Sequence, residues 1–468
     1  MAAFRGSMIG LVILGGGLTV FGADAKEKET VELRDSAQVG DSTKVLVTLK
    51  AEGLYRPAPA PGAAKSEPVK PLKLKVETRL EFLERVLVTD PVGKPGRATR
   101  VVRKVSQAAS AINGEIRPTA AVLRPEVALL VAEPRAGGVV VFSPGGPLTR
   151  SELELVQGAG DPLALASLLT DKRVKVGDSW TVGDDAARSL SSYDSLIDNA
   201  LQAKVESIDA QTIKIHLEGN VRGSVLGGEG KMLFEGTLNL DRAAGRIDRL
   251  HLQRSEARKP GAVEAGLEVK STLTVTRQPV EPSASIPDDA LAGGAAEPDP
   301  QQEQLLLISP DGKYTLSHDR NWHTYWDDRR LTVLKRLDRG VVVAQCNLLN
   351  GPNAGKGRHQ DLKQFRNDLR SALGSRFASF LGEGEVEGDP AGGFRYKVGV
   401  QGREGNLGLV WYYYLIASPD GDQLLATFTQ ADNQVKAFGD QDLRLIGSLR
   451  WRDAAESSPR PDPDAKPE

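Results

Sequence analysis

The chain has 468 residues, too many for one compact domain. Hydrophobic residues make up 40%, and 60 Lys+Arg against 62 Asp+Glu leave a net charge of -2, which argues against wholesale disorder and against a dedicated nucleic-acid binder. The single cysteine, Cys346, excludes an intrachain disulfide, a thiolate zinc cluster and an iron–sulfur site, and five histidines leave little for a histidine-built metal centre.

In chain order, Arg5 comes before an apolar run from Met8 to Phe21, which ends at Ala23-Asp24-Ala25. A positive start, a short apolar stretch and a small-x-small site predict a secretory signal peptide over residues 1–25. The run is short for a bilayer span, which needs about 20 apolar residues. An uncleaved anchor is the alternative. The expected address is therefore secreted or periplasmic.

Residues 26–280 read as an antiparallel β-rich domain. Leu72, Leu74, Val76, Thr78, Leu80 and Phe82 alternate with charged residues, the period of a sheet with one wet face. The alternation returns at Ile213/Ile215/Leu217, at Met232/Phe234 and from Leu267 to Val275. Arg56 to Pro68 is rich in proline and alanine and is expected in a hairpin loop. Asp161-Pro162 predicts the start of a helix carrying Leu163, Leu165, Leu168 and Leu169. A second helix is expected from about Asp185 to Leu201.

Residues 281–302, rich in Pro, Ala, Gly and acid, are expected to form a linker. Six aromatics lie between Lys26 and Val280, against 16 from Gln301 to Trp451, so two different cores are expected. Residues 303–452 form the second domain, and the proline-rich 453–468 a disordered tail. The second domain reads as short strands, then a helix from about Gln360 with Leu362, Phe365, Leu369, Leu373 and Phe377 in one apolar stripe. Strands follow at Phe394–Val400, Leu407–Ala417 and Gln423–Thr429, and a closing helix spans Phe438 to Leu449. Trp411/Tyr413/Leu415 and Tyr412/Tyr414/Ile416 make one strand apolar on both faces, hence covered on both.

No constellation supports catalysis, a cofactor or a metal. His318 and His323 with Asp327 or Asp328 have metal-ligating side chains, but their spacing fits no metal motif. A solvated loop with Trp322 and Trp326 docked on the sheet is the expectation. Gly351-Pro-Asn-Ala-Gly355-Lys356-Gly357 departs from a phosphate loop in spacing and lacks its Ser/Thr. Cys346 reads as a small buried hydrophobe. His216 and His251 fall on the wet faces of strands, and the Tyr412–Tyr414 run reads as core packing more than as a ligand platform.

Two resemblances add to this reading. Val176-Gly-Asp-Ser-Trp180 and Gly236-Thr-Leu-Asn-Leu-Asp241…Gly245-Arg-Ile247 resemble exported lipoprotein-carrier proteins, which implies an acyl chain held in a half-barrel. From Leu305 to Trp451, the order of elements with Tyr314-x-Leu316…Asn321-Trp322 and Leu445-Ile-Gly-Ser-Leu449 resembles the PsbP/DcrB-like family. That likeness implies an α/β/α sandwich on an antiparallel sheet and non-enzymatic roles: a subunit of the plant oxygen-evolving complex, bacterial envelope proteins, a Ran-binding import factor. The expected fold is thus α+β, with a β-rich first domain and this sandwich second. The expected function is non-catalytic binding or assembly at the cell envelope, toward an unknown protein partner. The alternative is a carrier of a lipid or other apolar ligand in the first domain.

Overall fold

The computed structural model describes residues 29–452 except 57–69, 92–95, 114, 117–122, 136, 282–283, 292–298 and 388–392. The expected signal peptide, the proline-rich insertion, part of the expected linker and the expected tail lie outside the described residues.

The N-terminal part begins with three long strands, β1 (Ser42–Arg56), β2 (Leu72–Asp90) and β3 (Arg97–Ile112), followed by β4 (Glu115–Ile116), β5 (Leu129–Arg135), β6 (Gly138–Phe142) and β7 (Leu148–Thr149). Helices α1 (Arg150–Val156) and α2 (Pro162–Leu165), strand β8 (Ser179–Thr181), helix α3 (Asp184–Ser191) and β9 (Ser195–Asn199) come next. The rest is a meander of β10 (Gln202–Ile208), β11 (Thr212–Val225), β12 (Gly228–Asp241), β13 (Arg246–Arg258) and β14 (Gly266–Pro279). All of these strands except β7 form one antiparallel sheet of 13, with main order β6-β5-β3-β2-β1-β14-β13-β12-β11-β10-β8. β1 closes on β14, so the first and last strands of this part lie side by side at mid-sheet.

Alternation decides the faces. Val45, Phe82, Leu250, Leu252, Leu273 and Val275 point to one side and are buried, while their neighbours Lys44, His251 and Thr274 face the other side. The segment from α1 to α3 crosses that apolar side as a strap. Leu165, Leu168, Ala186, Ala187 and Leu190 of the strap join the sheet residues in one core.

The C-terminal part contains β15 (Leu305–Ile308), β16 (Tyr314–His318), β17 (Trp322–Asp327), β18 (Leu331–Asp338), β19 (Val341–Asn350), α4 (Leu362–Leu373), β20 (Phe377–Glu385), β21 (Phe394–Glu404), β22 (Leu407–Ala417), β23 (Gln423–Ala431), α5 (Val435–Phe438), α6 (Gln441–Gly447) and β24 (Arg450–Trp451). Seven strands make a sheet in the order β17-β18-β19-β23-β22-β21-β20. Phe365, Leu369 and Leu373 of α4 pack on one face against Val398, Val400 and Trp411. On the other face Tyr414, Ile416 and Phe428 meet Phe438, Leu445 and Ile446, together with Leu307 and Leu316 of β15 and β16.

Two expectations are corrected here. The chain is mostly β, with 56% of the described residues in strands and 15% in helices, rather than an α+β protein with an α/β/α second domain. The physical reason is local: α5 and α6 are too short to form a layer, so the small sheet β24-β16-β15-β7 completes the cover of that face. The helix expected from Asp185 to Leu201 stops at Ser191. Ser192 takes the left-handed conformation at its C-cap, and the chain continues as β9 with Ile197 exposed.

The two parts are joined by more than the linker. β15 pairs in parallel with β7, Leu305 opposite Leu148. Within the linker Ile286 is buried, and Arg85 donates to its carbonyl and forms a salt bridge with Asp288.

Candidate functional site

The strap lies on the sheet with a gap beneath it. α1 is anchored by a capping box, in which the Thr149 hydroxyl accepts from the Glu152 amide and the Glu152 carboxylate accepts from the Thr149 amide. Arg124 grips the same carboxylate from outside the helix, and these bonds hold it well below the usual carboxylate range despite its burial. Asp161 caps α2, as the sequence predicts, by accepting from the Leu163 amide. Between the two helices Gly160, at φ 79°, lies so close to the sheet that a Cβ would sit 2.9 Å from Val275 Cγ2 and 3.0 Å from Leu273 Cδ2.

On one side of that contact lies a cavity of about 240 Å³. Val47 and Leu49 of β1, Leu80 of β2 and Leu273 of β14 form the sheet wall, and Leu155 and Ala159 of the strap form the other. Apart from Leu273 these are only partly buried, because no described side chain completes their packing. The polar end is formed by Arg103, 2% exposed. Its Nε donates to Glu84 at 2.9 Å, and Nη1 and Nη2 both donate to Asp161 at 2.7 Å, so one guanidinium ties the strap to β2 and β3. Those carboxylates keep Arg103 charged although burial works against its charge. The Arg103 guanidinium also lies over the Phe82 ring.

On the other side of the strap, a cleft of about 470 Å³ runs between the two parts of the chain. Arg150 of α1, Arg188 of α3 and Arg320, His323 and Arg339 of the C-terminal part line it. Glu154, Gly158 and Asp161 border both the cavity and the cleft.

The residues singled out in the sequence are placed as follows. His318 ends β16 and is buried, its Nδ1 2.8 Å from the Asp319 carbonyl, and burial lowers its pKa to about 4. His323 lies on β17, where burial and then the Arg150 charge lower it to about 3. The solvated loop expected for this stretch is therefore corrected: it is two strands around a short turn. Trp322 is buried against Phe428 and Phe438, whereas Trp326 stays exposed and donates to Asp328. Asp327 accepts from Thr332. Among the described residues no group of three His, Cys, Asp or Glu is arranged to hold a metal ion.

The Gly351–Gly357 segment uses its amides internally: Gly351, Ala354 and Gly357 donate to carbonyls of Gln423, Gly421 and Pro419. Cys346 is fully buried on β19, and burial pushes its thiol up. His216 and His251 lie on the wet side of the large sheet, His251 beside the Thr274 hydroxyl. Tyr413 and Tyr414 belong to the cores on opposite faces, with Tyr414 donating to buried Asp442 at 2.6 Å, and Tyr412 stacks under Lys397. Sequence reading missed α1 and Arg150. The Thr149-x-x-Glu152 capping pattern was the available signal for the helix; no local signal marks the arginine.

No family model matches the chain, and no curated protein matches it. Among solved structures, a protein from Bacteroides thetaiotaomicron is similar over 32% of this chain at 12% identity and TM-score 0.24. Lipovitellin is similar over 53% at 9% identity and TM-score 0.30. The Pseudomonas aeruginosa porin OccK9 aligns with 84% of the chain at 9% identity and TM-score 0.12. The chain spans 49% of the Bacteroides structure and 26% of lipovitellin. At TM-scores this low neither fold nor function follows from them.

Proposed function

We propose that this protein is a non-catalytic carrier that holds an apolar ligand between the large sheet and the strap. The supporting observation is the cavity itself, with aliphatic side chains on both walls and the buried Arg103 among the polar groups at its edge. Its volume lies below the roughly 300–1,000 Å³ of drug-sized sites, which suits one chain rather than a multi-ring ligand. The reading includes export after removal of residues 1–25, for which N-terminal sequencing should begin near Lys26. No helix among the described residues is long and apolar enough to cross a membrane, which leaves β-barrels unaddressed.

The test is titration with a solvatochromic fatty-acid probe. Wild-type protein should raise and blue-shift its emission. Ala159→Phe, which fills the cavity from the strap side, should reduce that response at least tenfold with an unchanged melting temperature. An equal response from both proteins refutes the carrier reading. A second reading, assembly at the envelope through the C-terminal part, is favoured by the PsbP/DcrB-like pattern and by β20. That edge strand pairs only with β21 among the described residues, and Leu381 on it is exposed.

A further inference from the structure

Every charged side chain that lines the cavity beneath the strap is already paired. Arg103 is committed to Glu84 and Asp161, and Arg79 bonds to Glu81 at 2.8 Å and to the Gln107 side chain at 2.9 Å. Of the lining acids, Asp161 accepts two of the Arg103 bonds, and Glu154 also has a partner. A carboxylate or phosphate entering this space meets no free cation, and an ammonium group meets no free acid. Burying an unpaired charge is costly, so a charged head group is disfavoured here.

Three hydroxyls are in a different position. Thr78, Ser110 and Ser151 line the same cavity and are partly buried, and none of their side chains hydrogen-bonds to another described residue. Thr78 of β2 and Ser110 of β3 are direct partners across the sheet. Thr78 is in phase with Leu80, so the pair points to the strap side. Ser151 comes one helical turn before Leu155 on α1, which puts both on one face of the helix. Ser110 lies seven residues beyond Arg103 on β3, a span of about 20 Å at the rise of a strand. The free hydroxyls and the paired charges therefore occupy opposite ends, with Val47, Leu49, Leu80 and Leu155 between them.

We propose that the ligand of this cavity is an uncharged single-chain amphiphile, such as a monoacylglycerol. Its hydroxyl-bearing head lies at Thr78, Ser110 and Ser151, and its chain runs beneath the strap toward Arg103. The inference rests on the carrier reading and names the ligand class. A hydroxyl both donates and accepts, so such a head matches the three protein hydroxyls in whichever direction each points, whereas a carboxylate only accepts. A fatty acid still enters by its chain, but its charge finds no partner.

Calorimetric titration of the purified full chain with monodecanoylglycerol and with decanoate, at about pH 8 where a carboxyl group is ionised, tests this. The glycerol ester should bind at least about tenfold more tightly than decanoate, the scale of one or two neutral hydrogen bonds. Thr78→Val combined with Ser110→Ala and Ser151→Ala should erase that gap in a variant that melts cooperatively. Decanoate binding wild type as tightly as the ester overturns the neutral-head assignment and leaves the carrier reading standing. A triple variant that keeps the wild-type gap also overturns it, because the head would then lie elsewhere. If neither compound binds wild type, the carrier reading falls and takes this one with it.

Discussion

Arg103→Met tests whether the strap is held to the sheet by charge. The substitution leaves Glu84, 2% exposed, and Asp161, 8% exposed, buried without their common cation. Three charge-assisted hydrogen bonds of 2.7 to 2.9 Å disappear with it. Removing one partner of a buried ion pair costs about 3–5 kcal/mol, mostly because the remaining charge stays desolvated. Against a total stability of about 5–15 kcal/mol, that is a large share. Urea unfolding followed by tryptophan fluorescence should show it as a lower midpoint at unchanged slope, Trp180 reporting on the strap because it donates to the Leu168 carbonyl there. Adding Glu84→Gln and Asp161→Asn should recover most of the loss, because the buried charges are then gone and asparagine still caps α2. A single variant that loses less than about 1 kcal/mol, or a triple variant no better than the single, refutes the electrostatic account of the strap.

Phe365→Ala removes a side chain that is 3% exposed between α4 and the second sheet, and should cost about 3–5 kcal/mol by denaturant titration. An unchanged midpoint would mean α4 does not pack there. The two histidines predict an acid effect with a definite sign: their folded pKa values, about 4 and about 3, lie below 6.5, so the unfolded chain binds protons first as pH falls. Their contribution to stability is complete above pH 6.5 and declines toward pH 4 for His318 and toward pH 3 for His323, by at most about 1.4 kcal/mol per pH unit for each. His318→Gln with His323→Gln should flatten that part of the stability–pH curve relative to wild type, and parallel curves would refute the assignment. Brief proteolysis should cut within 281–302, while the β7–β15 pairing and the Arg150 contacts keep the fragments together on gel filtration; cuts scattered through 305–451 would refute the two-domain division.

Local patterning was legible in the sequence wherever a rule acts within a few residues. Alternation from Leu72 to Phe82 marks β2, and the doubly apolar Trp411–Ile416 run marks a strand covered on both faces. Asp161-Pro162 marks a helix start because the cap and the first-turn proline are adjacent in the chain. The stripe through Phe365 and Leu369 marks α4, although its last member, Phe377, begins β20: Gly374 turns the chain at φ 53° after Leu373. Where the local signal was polar, inference went astray. His318–Asp328 reads as a solvated loop because of its charges, yet Arg150, from far along the chain, caps its carbonyls and makes burial tolerable.

By itself, then, the sequence determined the β character of the N-terminal part, the aromatic core of the C-terminal part and the poverty in metal-binding and redox side chains. Periodicity, propensity and composition are properties of neighbouring residues or of the whole count. Only the tertiary structure decided that the strap leaves a cavity on the sheet, that Arg103 joins Glu84 to Asp161, and that Arg150 and Arg320, 170 positions apart, line one cleft. Those features depend on which faces meet and at what distance, and electrostatic pairing across such a contact leaves no trace in the spacing of residues along the chain.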